Sequence, residues 1–96
     1  MKIEKEQIEK WKKQHGKVFE ITVDDKHGYL KKPDRNVIKL AYSRIAVQDP
    51  IGACEVVLQN CWLGGDEELK GDDYIGGMVA PITELLNIKE GHLKNC

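Results

Sequence analysis

The sequence predicts an α+β domain: an N-terminal helix, a β-hairpin, then three helices packed on it. Three observations carry that prediction. Residues 17–23, KVFEITV, put Phe19, Ile21 and Val23 on one side and Val18, Glu20 and Thr22 on the other, the two-residue period of a strand. Residues 37–45 and 51–61 instead recur at three and four residues, the period of one helix face. Asp49-Pro50 stands between those two stretches, where aspartate stops one helix and caps the next and proline fits a first helical turn.

Taken in order, residues 2–15 read as a helix whose narrow apolar stripe is Ile3, Ile8 and Trp11, with Trp11 as its anchor. Opposite charges such as Glu6–Lys10 and Glu9–Lys13 lie one turn apart, and Gly16 terminates the run. Residues 17–32 form the hairpin, with Asp24 to Gly28 as the connection and Tyr29 to Lys32 as the return strand. Pro33 suits the first turn of the next helix, 34–48, whose face is Ile38, Ala41, Tyr42 and Ile45, flanked by Val37 and Leu40. With Pro50 at its start, the helix 50–62 carries Ile51, Cys54, Leu58 and Cys61 as a buried stripe, with Val57 and Trp62 beside it. Gly64 and Gly65 end it.

Residues 64–73 then form an acidic loop with one helical turn at Glu67–Lys70, and Asp72 is placed to cap a last helix over 73–86. Gly76, Gly77 and Pro81 weaken that helix and predict a kink near Pro81. Residues 89–96 read as a tail. The chain shows no internal repeat and no linker, so 1–96 is read as a single domain, a length that can bury one modest core.

Composition narrows the function classes. Charged residues are 32% of the chain and hydrophobic residues 41%, a globular balance. No apolar run is long enough to span a bilayer, and the charged start lacks the apolar centre of a signal peptide, so a cytoplasmic location is expected. The net charge of −1 hides an asymmetry: residues 1–44 carry +5 and residues 45–96 carry −6. Such a layout can steer a partner or favour self-association.

Cys54, Cys61 and Cys96 are an odd set without Cys-x-x-Cys spacing, which argues against a disulfide framework and a structural zinc site. Cys54 and Cys61 are two helical turns apart, on the order of 10 Å, too far to bridge. Both are expected to be buried and unpaired.

No catalytic constellation assembles from spacing alone. Ser43, the single serine, lies in a helical stretch without a Gly-x-Ser-x-Gly elbow, and nothing places Cys61 beside His27 or His15. The three histidines are scattered as surface residues. Asp66, Glu67, Glu68, Asp72 and Asp73 crowd one segment without an ordered set of ion ligands, so no metal or cofactor is expected. Lys31, Lys32, Arg35, Lys39 and Arg44 offer a basic face beside Tyr29 and Tyr42, but a pI near 6.3 argues against nucleic acid. The last helix, by contrast, has more apolar residues than one seam requires. Tyr74, Ile75, Met78, Val79, Ile82 and Leu86, continued by Ile88, can either complete the core or form a groove for an apolar helix.

Three stretches resemble a family of small phage and prophage proteins of gut Bacteroidetes. They are Trp11, Lys12, Gly16 and Val18; Leu30, Lys31, Lys32, Pro33 and Arg35; and Cys61 to Glu68. The resemblance implies a protein of the tail-assembly-chaperone type, a small sheet followed by helices, which coats the tape measure protein while a tail is built. It implies no catalytic residue. The expected function is therefore a non-enzymatic assembly factor whose partner is a phage tail component and also itself. Two alternative readings are a small enzyme or metal-site protein using Cys61 and the acidic loop 66–73, and a nucleic-acid binder using the basic face.

Overall fold

The computed structural model describes residues 3–87 and 91–96. Its order is α1 (Lys5–His15), β1 (Val18–Val23), β2 (Lys26–Lys31), α2 (Arg35–Ala46), α3 (Pro50–Cys61), β3 (Trp62–Gly65), a 3-10 turn (Glu67–Lys70), α4 (Asp72–Ile75), a second 3-10 turn (Gly76–Met78) and α5 (Val79–Leu86). This is the expected α+β layout of helix, hairpin and helices, with one strand more than expected.

The hairpin is tighter than the expected one. Val23 pairs with Lys26, so only Asp24 and Asp25 make the turn, and Asp24 takes the left-handed conformation at φ 54. The return strand consequently begins at Lys26 and includes His27 and Gly28. β2 is the centre of an antiparallel three-stranded sheet in the order β1-β2-β3. The third strand is Trp62–Gly65, where Gly64 and Gly65 pair with Tyr29 and Gly28 across an irregularity between Tyr29 and Leu30. Those glycines therefore continue the structure as a strand and do not simply end a helix.

Each middle helix opens on an aspartate cap. Asp34 Oδ1 accepts the Val37 N–H at 3.0 Å, and Asp49 Oδ1 accepts the Gly52 N–H at 2.9 Å with Pro50 in the first turn. Pro33 is buried just before the Asp34 cap, outside the helix in whose first turn it was expected. Between the helices Gln48 is left-handed at φ 61, and the Asp49 N–H returns to the Arg44 carbonyl at 2.8 Å, closing the end of α2.

Two helix faces differ from the expected ones. On α2 the buried pair is Val37 and Ala41, with Ile38 and Ile45 half-buried; Tyr42 is exposed and donates its hydroxyl to Asn87 Oδ1. Ile51 of α3 is also exposed, and Ala53, Cys54, Val57, Leu58 and Cys61 form the buried face. The last helical region is three pieces. The break falls at Gly76–Met78, where two glycines lower helix propensity, while Pro81 sits in the first turn of α5, where its missing N–H costs little. Asp72 is the first residue of α4, follows Gly71 as the cap, and makes no capping bond with its side chain. Ile88 and the first two residues of the tail, 89–90, lie outside the described residues; 91–96 is exposed and without regular structure.

The core lies between one face of the sheet and helices α2, α3 and α5. It gathers Ile21 and Leu30 from the sheet, Val37, Ala41, Val57, Leu58 and both buried cysteines from α2 and α3, and Met78, Ile82 and Leu85 from the C-terminal pieces. Leu69 of the acidic segment is fully buried as well, its methyl packed over Gly28. α1 lies on the opposite face. Trp11 stacks on Tyr29 with ring centroids 5.9 Å apart and tilted by 37°, and its ring edge meets Gly64.

Candidate functional site

The sheet's two edges are unequal. β3 is four residues long and irregular against β2, and it runs directly into the acidic segment, where Asp66 Oδ2 accepts the His27 N–H at 2.9 Å. Such an edge is blunted against further pairing. β1 has six residues in unbroken register with β2 and contains no proline. Because Val23 and Lys26 close a two-residue turn, Val23, Ile21 and Phe19 bond to β2, while the backbone groups of Val18, Glu20 and Thr22 point the other way. Among the described residues, no backbone partner from another element meets those three.

An apolar groove of about 230 Å³ runs beside this open edge, lined by Phe19, Ile21, Leu30, Pro81 and Leu85 with Glu20 and Glu84 at its rim. Period-two alternation puts Phe19 and Ile21 on one face, and Pro81 and Leu85 of α5 form the other wall. Phe19 and Val23 remain half-buried there, packed against the core from the outside. Among the described residues, this edge and groove place open backbone groups and an apolar surface side by side. The groove has no local signal in the sequence, because it needs α5 beside β1, a long-range juxtaposition.

The expected partner face is placed differently. Met78 and Ile82 are buried at 0% and 1% exposure and belong to the core; Tyr74, Ile75, Val79 and Leu86 are half-buried against it. Two of the six residues thus belong to the core, and the other four stay partly exposed around it. The signal of that face in the sequence, an apolar excess, came from helix pieces that bury two sides at once, against the sheet and against α3.

The outer face of the sheet carries the chief polar cluster. Glu20 Oε2 accepts the Tyr29 hydroxyl at 2.9 Å and lies 3.0 Å from His27 Nδ1. Glu20 pairs with Tyr29 across the ladder and His27 opposes Thr22, so the strand register brings all three to one face. Burial under Trp11, then the carboxylate, pushes the Tyr29 phenol above its ordinary range. The arrangement fixes Tyr29 and Glu20 in place. Tyr29 is thereby unavailable for stacking on a base, while Lys32, Arg35, Lys39 and Arg44 stand exposed around it in the chain.

The thiols are inside. Cys54 and Cys61 are buried and free, Cys96 is exposed and free, and burial pushes the Cys54 thiol up to about 11 and the Cys61 thiol up as well. Cys61 lies on the helical side of the sheet and His27 on the other, so the sheet separates the two. In the acidic segment Glu67 pairs with Lys70 at 3.1 Å and Glu68 with Lys26 at 3.2 Å, which raises the Lys26 pKa. Lys70 also lies 4.6 Å from the centre of the Trp62 ring. Among the described residues no three His, Cys, Asp or Glu side chains converge on a metal position. No described helix is long and apolar enough to cross a membrane.

Comparison with known proteins adds no relative: no protein-family model matches the chain, and neither a curated protein nor a solved structure matches it.

Proposed function

We propose that the chain is a non-enzymatic phage or prophage assembly factor that binds an apolar segment of a tail component such as a tape measure protein. Its docking site is the open edge of β1 with the groove between β1 and α5. The resemblance carried by Trp11 to Val18, Leu30 to Arg35 and Cys61 to Glu68 supports the assembly role. The observation that supports protein binding is the regular, unblunted β1 edge lying beside apolar Phe19, Ile21, Pro81 and Leu85. An edge strand supplies backbone hydrogen bonds to an added segment, and a neighbouring groove supplies pockets for its side chains.

The test is calorimetric titration of the purified chain with apolar tape-measure segments. Stoichiometric binding is expected. Phe19→Ala removes a wall of the groove and is expected to weaken that binding by about tenfold, the equivalent of about 1.4 kcal/mol, with circular dichroism checking that the variant folds. Absence of binding by the wild-type chain would sink the assembly reading.

A further inference from the structure

The two ends of the hairpin carry opposite charge, and we infer that copies of this chain associate head to tail, the basic end of one against the acidic end of the next. This association uses neither the β1 edge nor the groove beside it, so it stands apart from the docking of a tail component.

The strand register builds the basic end. Lys17 precedes Val18, and Val18 pairs with Lys31, so the start of β1 and the end of β2 place Lys17, Lys31 and Lys32 at one end of the sheet. Arg35 opens α2 just beyond them, and Lys13 stands in the last turn of α1, which runs through Gly16 into Lys17. Among the described residues none of these five cations takes part in an ion pair. The carboxylate between Lys32 and Arg35, Asp34, is committed to the Val37 N–H.

The other end is acidic. Asp24 and Asp25 form the hairpin turn, and Gly77 of the second 3-10 turn lies against the Val23 side chain beside it. Lys26 reaches Glu68 at 3.2 Å, which brings the acidic segment up to the same end. A cleft of about 420 Å³ is lined there by Glu68, Gly71, Asp72, Asp73 and Tyr74. Lys26 and Lys70 are each paired with a glutamate, so Asp24, Asp25, Asp72 and Asp73 stay exposed with no ion-pair partner among the described residues. Asp24 and Asp25 belong to the basic half of the sequence; only the fold sets them beside the acidic segment.

Six strand residues separate the two ends, on the order of 20 Å. The screening length at physiological salt is about 8 Å, so the ends cannot neutralise one another within a single molecule. A second copy brings opposite ends into contact. A long polyanion such as nucleic acid fits less well, because the acidic end repels it, the net charge is −1, and Tyr29 is covered by Trp11. Contact between unlike surfaces leaves one free end of each kind, so it repeats into a ring or an open array.

Sedimentation of the purified full chain from micromolar to millimolar concentration, at low and high salt, tests this. Association is expected at about 0.01 M salt, and it should weaken by about tenfold or more at about 0.5 M, where screening is shorter. Two triple variants reverse exposed charges: Lys17→Glu, Lys32→Glu and Arg35→Glu at one end, and Asp25→Lys, Asp72→Lys and Asp73→Lys at the other. Each triple variant alone has two like ends and is expected to stay monomeric, with circular dichroism checking its fold. An equimolar mixture has opposite ends again and is expected to associate as the wild type does, a recovery that misfolded chains would not show. A wild-type chain that is monomeric at millimolar concentration and low salt overturns the inference. So does association indifferent to salt or to both triple variants, and so does a mixture that stays monomeric. A monomer that binds a single-stranded oligonucleotide through Lys17 and Lys32 gives the basic end to nucleic acid and overturns it too. None of these outcomes decides the binding of tape-measure segments, which the calorimetric titration tests separately.

Discussion

Gly28 sits where a side chain would need the space of an indole. A Cβ there would lie 2.6 Å from two ring carbons of Trp62 and 3.1 Å from Leu69. Gly28→Ala is therefore expected to displace Trp62 and cost about 1–3 kcal/mol, read as a lowered denaturation midpoint with an unchanged m-value. The cysteines give a second residue-scale expectation. Thiol labelling of the native protein should modify Cys96 rapidly and Cys54 and Cys61 only as the chain opens, because both are buried. Their ionisation makes stability depend on pH in the alkaline range. The Cys54 thiol rises from 9.0 to about 11 on folding, so the unfolded chain releases its proton first. The stability held below pH 9.0 is lost as pH rises towards about 11, by about 2–3 kcal/mol from this group. Cys54→Ala should flatten that part of a pH series of denaturation midpoints, and a profile unchanged by the substitution would remove Cys54 as the cause.

At the scale of elements, the two aspartate caps are the clearest levers. Asp34→Ala and Asp49→Ala each remove an acceptor for a first-turn N–H and are expected to cost about 1 kcal/mol, within a range of about 0.5–2. Thermal melts of the two single variants check this, and Asp72→Ala, which removes no capping bond, is the control. The Asp49 cap was legible because Asp-Pro before an apolar period is a local signal, whereas Asp34 reads as a residue of the helix itself once Pro33 is placed in its first turn. The α2 face was legible only to within one step around Ala41: Ile38 and Val37 are adjacent, both apolar, and only contact with the sheet and α3 chooses between them. Ile51 follows the α3 period but stands in its first turn, beyond the reach of the core. β3 carries no local signal. Trp62-Leu63-Gly64-Gly65 lacks β-branched residues and ends in two glycines, and it is a strand because β2 offers it an edge and because glycine there admits Trp11. The candidate site divides in the same way: strand alternation gave Phe19 and Ile21, whereas Pro81 and Leu85 arrive only through the tertiary fold.

For the whole molecule, the central position of β2 sets an order of assembly. β1 joins β2 across a two-residue turn, a contact that closes almost no loop. β3 joins β2 only after α2 and α3 have brought Trp62 back to Leu30, so that half of the sheet carries the larger loop-closure cost and forms later. Both tryptophans straddle that later seam. Trp62 lies over Gly28, and Trp11 lies over Tyr29 and Gly64, one on each face of the β2–β3 pair. Indole fluorescence in a refolding experiment is thus a clock for the closing of the sheet. In stopped-flow refolding, the fluorescence change of Trp11→Phe and of Trp62→Phe should share one rate, slower than the backbone signal of the hairpin. Two separate rates for the two tryptophans would mean that the faces of the sheet are sealed independently.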